Sequence, residues 1–236
     1  MKTIVITGAS RGIGLETAVH LAAIGHRVIA TARSVSGLEA LYNRCMAAGS
    51  AANLVVIPAD LTKPEHLAEL CDRIVGLCPV VDVLINNAGG LINKAFTEIS
   101  PEELHHIYDV NFFAPFALTQ KLLPALLKSE DGHIVNIGSV GGITGSVKFG
   151  GLTAYSSSKG ALATWSEVLA QELSGTPVSV NCLALGAAQT EMLSKAFPDF
   201  KAPLSATEMA RYVAWFALNG HVFFNGKVLP VAVSTP

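Results

Sequence analysis

Short apolar runs alternate with longer helical patterns along almost the whole chain, and this alternation restricts the fold more than any other feature. The apolar runs predict strands at 3–7, 27–32, 54–57, 81–85, 133–137, 178–183 and 227–231. Several of them are continuously apolar, as expected for parallel strands that helices cover on both faces. We therefore predict an α/β fold, a doubly wound parallel sheet of about seven strands in three α/β/α layers.

Helix boundaries follow from capping signals. Thr62, Ser100 and Ser205 are each followed three residues later by a glutamate, a pattern that predicts a capping box at each site. Further helices are expected from the first glycine-rich turn to about Ile24 and over 154–173. The helix after Ser100 should reach about Lys128, and the one after Ser205 about 218. No repeat or linker marks a boundary, so one domain is predicted over 1–236.

Composition excludes several classes of protein. Half of the 236 residues are hydrophobic and 14% are charged, which is not the composition of a disordered chain. Sixteen Lys and Arg against eighteen Asp and Glu give a net charge of −2, which favours neither nucleic-acid nor anionic membrane partners. The longest uncharged stretch, 173–190, contains Pro177, Asn181 and Gln189, so no membrane span is predicted.

The first residues and the cysteines bear on location. Lys2 leads directly into a predicted strand rather than into a secretory signal, and we therefore expect a cytoplasmic protein. The four cysteines are scattered without a C-x-x-C pair, so we expect reduced, mostly buried thiols. The seven histidines have no partner at metal-ligand spacing, and no metal site is predicted.

A glycine-rich segment, Thr7 to Gly14, joins the first strand to its helix with the sequence TGASRGIG. Glycines permit a tight turn and a close backbone approach, and the following helix N-terminus presents free N–H groups to a pyrophosphate. The alternative is an ordinary turn between strand and helix. Its place after an N-terminal strand favours the dinucleotide site of a Rossmann-type fold.

The end of the second strand bears on the choice of cofactor. It reads ATARS with no acidic residue before Glu39, so the carboxylate that would bind an adenosine ribose is missing. Arg33 and Arg11 could instead hold a 2′-phosphate by charge-assisted hydrogen bonds. The alternative is two solvated surface arginines. We predict a preference for NADP(H), with NAD(H) as the alternative.

A Tyr-x-x-x-Lys pair, Tyr155 and Lys159, lies near the start of a predicted helix and projects from one face. An ammonium beside a phenol favours the phenolate, so we expect a lowered pKa for Tyr155 and a role as general acid or base. Alone, such a pair is usually helix surface. Ser139 strengthens the catalytic interpretation, because it follows a strand at the edge where open α/β sheets bind ligands.

Together these motifs resemble the classical short-chain dehydrogenase/reductase family. The glycine loop is followed in the family's order by Asn86-Asn87-Ala88-Gly89, Asn111, Ser139, Tyr155 with Lys159, and Asn181…Gly186…Thr190. The resemblance covers residues 2 to about 192 and is specific because the motifs occur jointly.

The resemblance implies roles for individual residues. Tyr155 would protonate the carbonyl oxygen as NADPH delivers hydride, or act as base in alcohol oxidation, while Ser139 would hydrogen-bond that oxygen. Lys159 would bind the nicotinamide ribose, and Asn111 would anchor a water in a proton relay. The implied cofactor contacts are Gly8, Ser10, Arg11, Gly12, Ile13, Gly14, Arg33, Asp60, Leu61, Asn87, Ala88, Gly89, Tyr155, Lys159, Gly186, Ala188 and Thr190.

Three departures from the family pattern limit this transfer. Leu185-Gly186 stands where the family usually has Pro-Gly, so the turn beside the nicotinamide loses the fixed φ of proline. Ser139 and Tyr155 are unusually far apart, with the extra residues in a glycine-rich 141–151 loop predicted to have low local stability. The end of the chain, 228–236, lacks the glycine-rich terminus of many relatives, which puts C-terminal tetramer contacts in doubt.

A substrate-covering segment is expected at about 187–206. Met192, Leu193, Phe197 and Phe200 are equally well interpreted as core residues or as an apolar lid over the substrate. If they form the lid, the substrate is apolar near its carbonyl.

The leading hypothesis is an NADPH-dependent ketone or aldehyde reductase, a homodimer through helices near 102–128 and 154–173 or a homotetramer. The enzymatic alternatives are an NAD-dependent alcohol dehydrogenase and a 3-oxoacyl carrier-protein reductase. From a different class, a catalytically silent NADPH-sensing module is the alternative, although the intact set of Asn111, Ser139, Tyr155 and Lys159 argues against it.

Overall fold

The computed structural model describes residues 1–233, and the predicted parallel sheet is present. Seven strands pair in parallel in the order β3-β2-β1-β4-β5-β6-β9. They are β1 Thr3–Thr7, β2 Arg27–Ala32, β3 Leu54–Pro58, β4 Val83–Asn86, β5 Gly132–Ser139, β6 Val178–Leu185 and β9 Lys227–Val231. The expected seven-stranded, doubly wound sheet is therefore confirmed, and the predicted domain over 1–236 ends in three residues outside the described part.

Eight helices surround this sheet in the described residues. They are α1 Gly12–Ala23, α2 Val35–Ala47, α3 Pro64–Leu77, α4 Pro101–Tyr108, α5 Ala114–Leu126, α6 Thr153–Glu172, α7 Glu191–Ala196 and α8 Ala206–Asn219. A separate two-residue pair, β7 Ala188–Gln189 and β8 Leu204–Ser205, joins the two ends of the segment that carries α7.

Two hydrophobic cores lie on the two faces of the sheet. One packs Leu21 of α1, Leu41 of α2 and Phe216 of α8 against one face. The other packs Leu70 of α3 and Leu122 of α5 against the opposite face. All five side chains are almost fully buried, each contributing about 1.5–3 kcal/mol from transfer out of water. Burial on both faces explains why these strands lack a polar alternation.

Two of the three predicted capping boxes form. At Ser100 and Ser205 the hydroxyl accepts from the backbone N–H of the glutamate three residues on, and that glutamate accepts in return. The box at Thr62 is absent, because the N-cap of α3 is Lys63 and Thr62 lies one residue outside the helix. Helix α3 begins at Pro64 without a side-chain cap. Thr62 instead forms a local turn with Asp60, whose Oδ1 accepts from the Thr62 hydroxyl at 2.8 Å.

The long helix predicted after Ser100 is interrupted. Between α4 and α5 the backbone forms a π-helical turn, Asp109–Phe113, whose centre is the fully buried Asn111. Such insertions often occur at functional sites, because they turn one side chain out of the regular spiral. The periodicity of the sequence does not reveal this interruption, since helical residues continue on both sides.

The structure also adds elements that the sequence did not predict. Helix α2 begins directly after Ser34, whose Oγ accepts from Gly37 N at 3.1 Å. The four cysteines are free and buried, as expected. Within residues 1–233 we find neither a helix long and apolar enough to span a membrane nor three or more His, Cys, Asp or Glu side chains arranged to hold a metal.

Candidate active site

One cleft of about 770 Å³ opens at the carboxyl end of the sheet. It lies where the strand order changes direction between β1 and β4, the position at which open α/β sheets bind ligands. Its lining includes every predicted catalytic and cofactor-binding residue except one. These are Gly8, Ser10, Arg11, Gly12, Ile13, Gly14, Arg33, Asp60, Leu61, Asn87, Ala88, Gly89, Ser139, Tyr155, Lys159, Gly186, Ala188 and Thr190. The exception, Asn111, lies beneath the cleft floor.

The glycine loop requires glycine at particular positions. Gly8 has a φ of +68°, and a Cβ there would lie 2.7 Å from Ala88 Cα. A Cβ at Gly14 would lie 2.3 Å from Asn87 Nδ2. The first turn of α1 can therefore approach the end of β4 only because these side chains are absent.

Asn87 fastens the ends of β1 and β4 together. Its Nδ2 donates to Thr7 O at 2.9 Å, and its backbone N–H donates to Thr7 Oγ1 at 3.0 Å. Thr7 Oγ1 also accepts from Ala88 N at 2.9 Å. These bonds fix the glycine loop against the Asn-Asn-Ala-Gly segment and give the cleft a rigid floor.

The residues at one end of the cleft fit a phosphate-bearing dinucleotide. Helix α1 has no side-chain cap at Arg11, so the N–H groups of its first turn remain available to an anion. Arg33 is exposed beside Asp60, and no carboxylate follows directly at the end of β2. Burial acts to raise the pKa of Asp60, but hydrogen bonds from Thr62 and the nearby Arg33 outweigh it and lower the pKa.

The predicted catalytic side chains meet at the other end of the cleft. Lys159 is only 4% exposed, and its Nζ donates to Ile137 O at 2.7 Å. Burial lowers the pKa of Lys159 from 10.5 to about 8. Ser139 Oγ accepts from Gly141 N at 3.2 Å, and its own O–H lies within hydrogen-bonding reach of the Tyr155 phenol.

The expected lowering of the Tyr155 pKa is not found. Burial raises the pKa of the phenol above its ordinary value of 10, although a hydrogen bond with Ser139 acts in the opposite direction. The expected opposing effect of Lys159 is missing because its ammonium donates to a backbone carbonyl rather than to the phenol. Tyr155 is therefore protonated at neutral pH in this state of the molecule.

Asn111 is held in a complete set of hydrogen bonds. Its Oδ1 accepts from Gly90 N at 2.8 Å, while its Nδ2 donates to Gly90 O at 3.0 Å and to Ser158 Oγ at 2.9 Å. Ser158 precedes Lys159 in α6. Asn111 therefore links the π-helical turn to the helix that carries Tyr155 and Lys159.

A buried amide pair that the sequence analysis did not assign supports the same helix. Asn86 Nδ2 donates to Asn136 Oδ1 at 2.8 Å, and Asn136 Nδ2 donates to Ser166 Oγ of α6 at 2.8 Å. The two asparagines are register partners in β4 and β5. A polar residue at the same level of two apolar strands was the signal that could have identified them.

Three of the four apolar residues in the predicted covering segment face the cleft. Met192, Leu193 and Phe197 line it, whereas Phe200 does not. None of the four belongs to either hydrophobic core. The core interpretation is therefore not supported, and the apolar lid interpretation agrees with the structure for three of them.

Asn181, which is part of the resemblance motif, lies away from the cleft. Its Nδ2 donates to Phe224 O at 2.8 Å, and its Oδ1 accepts from Lys227 N at 3.1 Å. It therefore fastens β9 and the segment before it to β6.

Comparisons with known proteins agree with this geometry. The family model described as short chain dehydrogenase matches residues 2–201. Ketoacyl reductase HetN of Nostoc sp. (strain PCC 7120) is 39% identical over 78% of this chain, although the match spans only 63% of HetN. The 3-oxoacyl-[acyl-carrier-protein] reductase FabG of Escherichia coli (strain K12) is 32% identical over 98% of this chain and 95% of its own.

Solved structures give the same result. A short chain dehydrogenase of Shigella flexneri 2a, crystallised with NADP, superposes with a TM-score of 0.88 at 30% identity, over 97% of this chain and 96% of its own. The family match spans the whole cleft, from the glycine loop through Tyr155 and Lys159 to Thr190. The chain is therefore a member of the classical short-chain dehydrogenase/reductase family.

Proposed function

We propose that this oxidoreductase uses NADPH to reduce a ketone or aldehyde to an alcohol, with Tyr155 as general acid. The observation that carries the proposal is the joint placement of Tyr155, Ser139 and Lys159 at one end of a single cleft. The other end presents Arg33, Arg11 and an uncapped helix N-terminus. A dinucleotide that spans the cleft would bring its reactive ring to the tyrosine.

The residues of the chain divide the reaction between them. When bound, NADPH would supply a hydride to the carbonyl carbon. The Ser139 O–H, which lies against the Tyr155 phenol, would donate a hydrogen bond to the carbonyl oxygen, and the Tyr155 O–H would donate the proton that completes the alcohol. Lys159 would bind the nicotinamide ribose and favour the phenolate by its charge alone, and Asn111 holds the lysine's helix in place. The reverse reaction would use Tyr155 as base.

Tyr155 can supply the proton that carbonyl reduction requires, because burial raises the pKa of the phenol and leaves it protonated at neutral pH. The reverse reaction passes through the same transition state with Tyr155 as base. The enzymatic alternative, an NAD-dependent alcohol dehydrogenase, is distinguished by the relative affinities for NADH and NADPH.

The preference for NADPH is supported by charge at the adenosine end. Arg33 and Arg11 are both exposed on the cleft, and no acidic residue follows β2 in the sequence before Glu39. We expect Arg33→Ala to raise the Kd of NADPH about 10- to 100-fold, because a charge-assisted hydrogen bond contributes about 1.5–3 kcal/mol. The Kd of NADH should change less than about threefold.

Arg27→Ala is the matched control for this prediction, since Arg27 begins the same strand at the opposite end. Fluorescence titration of the wild type and both variants with both cofactors gives the six dissociation constants. An equal loss of NADH and NADPH affinity in Arg33→Ala would contradict the assigned 2′-phosphate contact.

A second candidate substrate class is an acyl thioester. The relatives HetN and FabG are named as ketoacyl reductases, and apolar side chains, including Met192, Leu193 and Phe197, line the lid side of the cleft. NADPH consumption measured across simple ketones, aldehydes and 3-oxoacyl thioesters separates the two classes. Tight NADPH binding without turnover of any carbonyl would instead support a silent NADPH-sensing module.

The proposed assembly is a homodimer through the faces of α4, α5 and α6, with a tetramer as the alternative. Phe113 is 53% exposed and Phe116 is 41% exposed, and the Phe116 ring lies 5.3 Å from that of Trp165. Such an aromatic patch is typical of an interface core. Sedimentation equilibrium distinguishes monomer, dimer and tetramer.

We further propose one catalytic domain and, given four free thiols, a cytoplasmic location.

A further inference from the structure

The segment between β7 and β8, residues 190–203, crosses the mouth of the cleft, and we call it the lid. Its base is fastened by the β7–β8 pair and by Gln189, whose Oε1 accepts from Ala202 N at 2.9 Å. Thr190 Oγ1 caps its helix α7 by accepting from Leu193 N at 3.2 Å. These contacts hold the two ends of the lid but not its far side.

The far side of the lid is held by Asn93, a residue that no sequence motif identified. Asn93 Nδ2 donates to Ala196 O, the last residue of α7, at 2.7 Å. Among described residues, the other hydrogen bond from α7 to a distant element is the exposed Arg11–Glu191 pair at 3.4 Å. Both contacts are exposed, but the Asn93 bond is much the shorter, and an ion pair of 3.4 Å at the surface contributes little.

Asn93 is also pressed against the glycine-rich loop. Gly151 has a φ of +83°, and a Cβ there would lie 2.0 Å from Asn93 Oδ1. The neighbouring Lys94 N donates to Gly151 O at 2.9 Å. Three segments therefore converge on Asn93: its own loop after β4, the loop before α6, and the lid.

Two of these segments each contribute a phenylalanine to the cleft. Phe149 lies two residues before Gly151, and Phe197 directly follows Ala196. Their rings meet edge to face, with centroids 6.3 Å apart and planes at 69°. Both rings line the same cleft as Tyr155, so the pair forms an outer wall of the space in which a carbonyl compound would lie.

We propose that Asn93 is a positioning residue that holds this Phe149–Phe197 wall in place. The wall then limits the size of the apolar, uncharged group attached to the carbonyl carbon of the substrate. Glu191, the one acidic side chain of the lid that lines the cleft, is turned to Arg11 rather than to Tyr155. The inference rests on the proposed reductase function and names the substrate class as compact apolar ketones or aldehydes.

The test is a length series of straight-chain methyl ketones, from 2-butanone to 2-undecanone, assayed with NADPH. The wild type should show kcat/KM that rises with chain length and then falls at a defined limit. In Asn93→Asp, which keeps the shape but loses the donated hydrogen bond, the limit should move to longer chains. KM of the best wild-type substrate should rise about tenfold, with kcat within about threefold.

Asn53→Ala is the matched control, because Asn53 Nδ2 makes an equivalent bond to Ala22 O at 3.0 Å away from the cleft. It should leave the chain-length limit unchanged. Phe197→Ala removes one ring of the wall directly and should move the limit at least as far as Asn93→Asp does. An unchanged limit in both cleft variants would refute the proposed wall.

Limited trypsin digestion measures the lid without requiring turnover, because Lys195 and Lys201 lie within it. Asn93→Asp should be cleaved at these lysines several times faster than the wild type, with an unchanged Kd for NADPH. Equal cleavage rates would refute the positioning role. A wild type that reduces no carbonyl would refute the proposed reaction instead, and the digestion would still decide whether Asn93 holds the lid.

Discussion

The polar groups at the two ends of the central sheet differ in whether they are paired within the protein. At the amino end the protein pairs them internally: Lys2 Nζ lies 2.7 Å from Asp131 Oδ2, and Asp82 accepts from Thr3 N and Ser129 Oγ. At the carboxyl end the first turn of α1 lacks a side-chain cap, and Ser139 and Tyr155 present their hydroxyls to the cleft. One end contributes to stability, whereas the other leaves donors available for ligands.

Two buried titratable residues show this contrast most clearly. His133 at the amino end is fully buried, with Nδ1 3.0 Å from Ala217 O and Nε2 3.1 Å from Asn181 Nδ2. Lys159 at the carboxyl end is also buried, yet its ammonium has one hydrogen bond, to Ile137 O. Burying a neutral ring with two hydrogen-bond partners costs little free energy, whereas burying an ammonium with one partner destabilises the fold.

The largest expected effect that separates the two ends comes from Lys159→Met. Removal of the charge beside Tyr155 should lower kcat for carbonyl reduction by at least about 100-fold. The free energy of unfolding should increase in this variant. The lowered pKa of Lys159 corresponds to a destabilisation of about 3 kcal/mol from the buried ammonium at pH 7, and the substitution removes it. Loss of the bond to Ile137 O offsets part of this gain.

The pH dependence gives the sign of this stability effect. Folded Lys159 releases its proton near pH 8, whereas the ordinary value is 10.5, so the unfolded chain binds more protons between these values. The free energy of unfolding of the wild type therefore rises between pH 8 and 10.5, as the ammonium loses its proton. Over the same range the extra stability of Lys159→Met disappears. Urea unfolding at pH 7 and 9.5 measures both. A variant clearly less stable than the wild type at pH 7 would contradict the account.

A smaller effect on activity but a clear loss of stability is expected from His133→Asn. Burial lowers the pKa of His133 from 6.5 to about 4, so the unfolded chain takes up a proton first as the pH falls. Protonation of the unfolded histidine therefore costs the fold about 3 kcal/mol as the pH falls from 6.5 towards 4, and costs nothing above pH 6.5. The variant should lack that dependence. It should also lose about 2–4 kcal/mol at pH 7, because the buried ring packing and its contacts with Ala217 O and Asn181 are removed, with turnover per folded molecule unchanged.

Urea unfolding of both proteins at pH 4.5 and 7 provides this measurement. Equal pH dependence in wild type and variant would show that other groups cause the loss at acid pH.

The smallest effect is expected from Lys2→Met at the amino end. Lys2 and Asp131 form a partly exposed ion pair, and such pairs contribute about 0–1 kcal/mol. The variant should therefore unfold within about 1 kcal/mol of the wild type. A loss of several kcal/mol would mean that the amino end depends on its surface charges more than on the buried His133.

Much of the fold and of the candidate site followed from the sequence. Continuous apolar strands predicted the parallel sheet, because burial on both faces leaves no alternation. The capping pattern succeeded at Ser100 and Ser205 and failed at Thr62, which lies one residue before the N-cap Lys63 of α3. The sequence pattern shows which groups could bond, but not at which residue the helix begins.

The remaining features depend on tertiary contacts. The raised pKa of Tyr155 depends on the burial of its phenol and on where the Lys159 ammonium points, neither of which helical spacing determines. Asn93 acquires its contacts from residues far along the chain, at Gly151 and Ala196. Such contacts between loops carry no periodic signal, so the sequence predicted Phe197 in a covering segment and an unusual loop at 141–151, but not the Asn93 that joins them.

The central claim is that the carboxyl end of the sheet is an acid-assisted carbonyl reductase site, and Tyr155→Phe tests it most directly. The measurement is kcat for reduction of a carbonyl substrate with NADPH, beside the Kd of NADPH, with Tyr212→Phe outside the cleft as control. We predict a loss of about 100- to 10,000-fold in kcat with an unchanged Kd. A Tyr155→Phe protein that reduces the substrate within about threefold of the wild type would contradict the account.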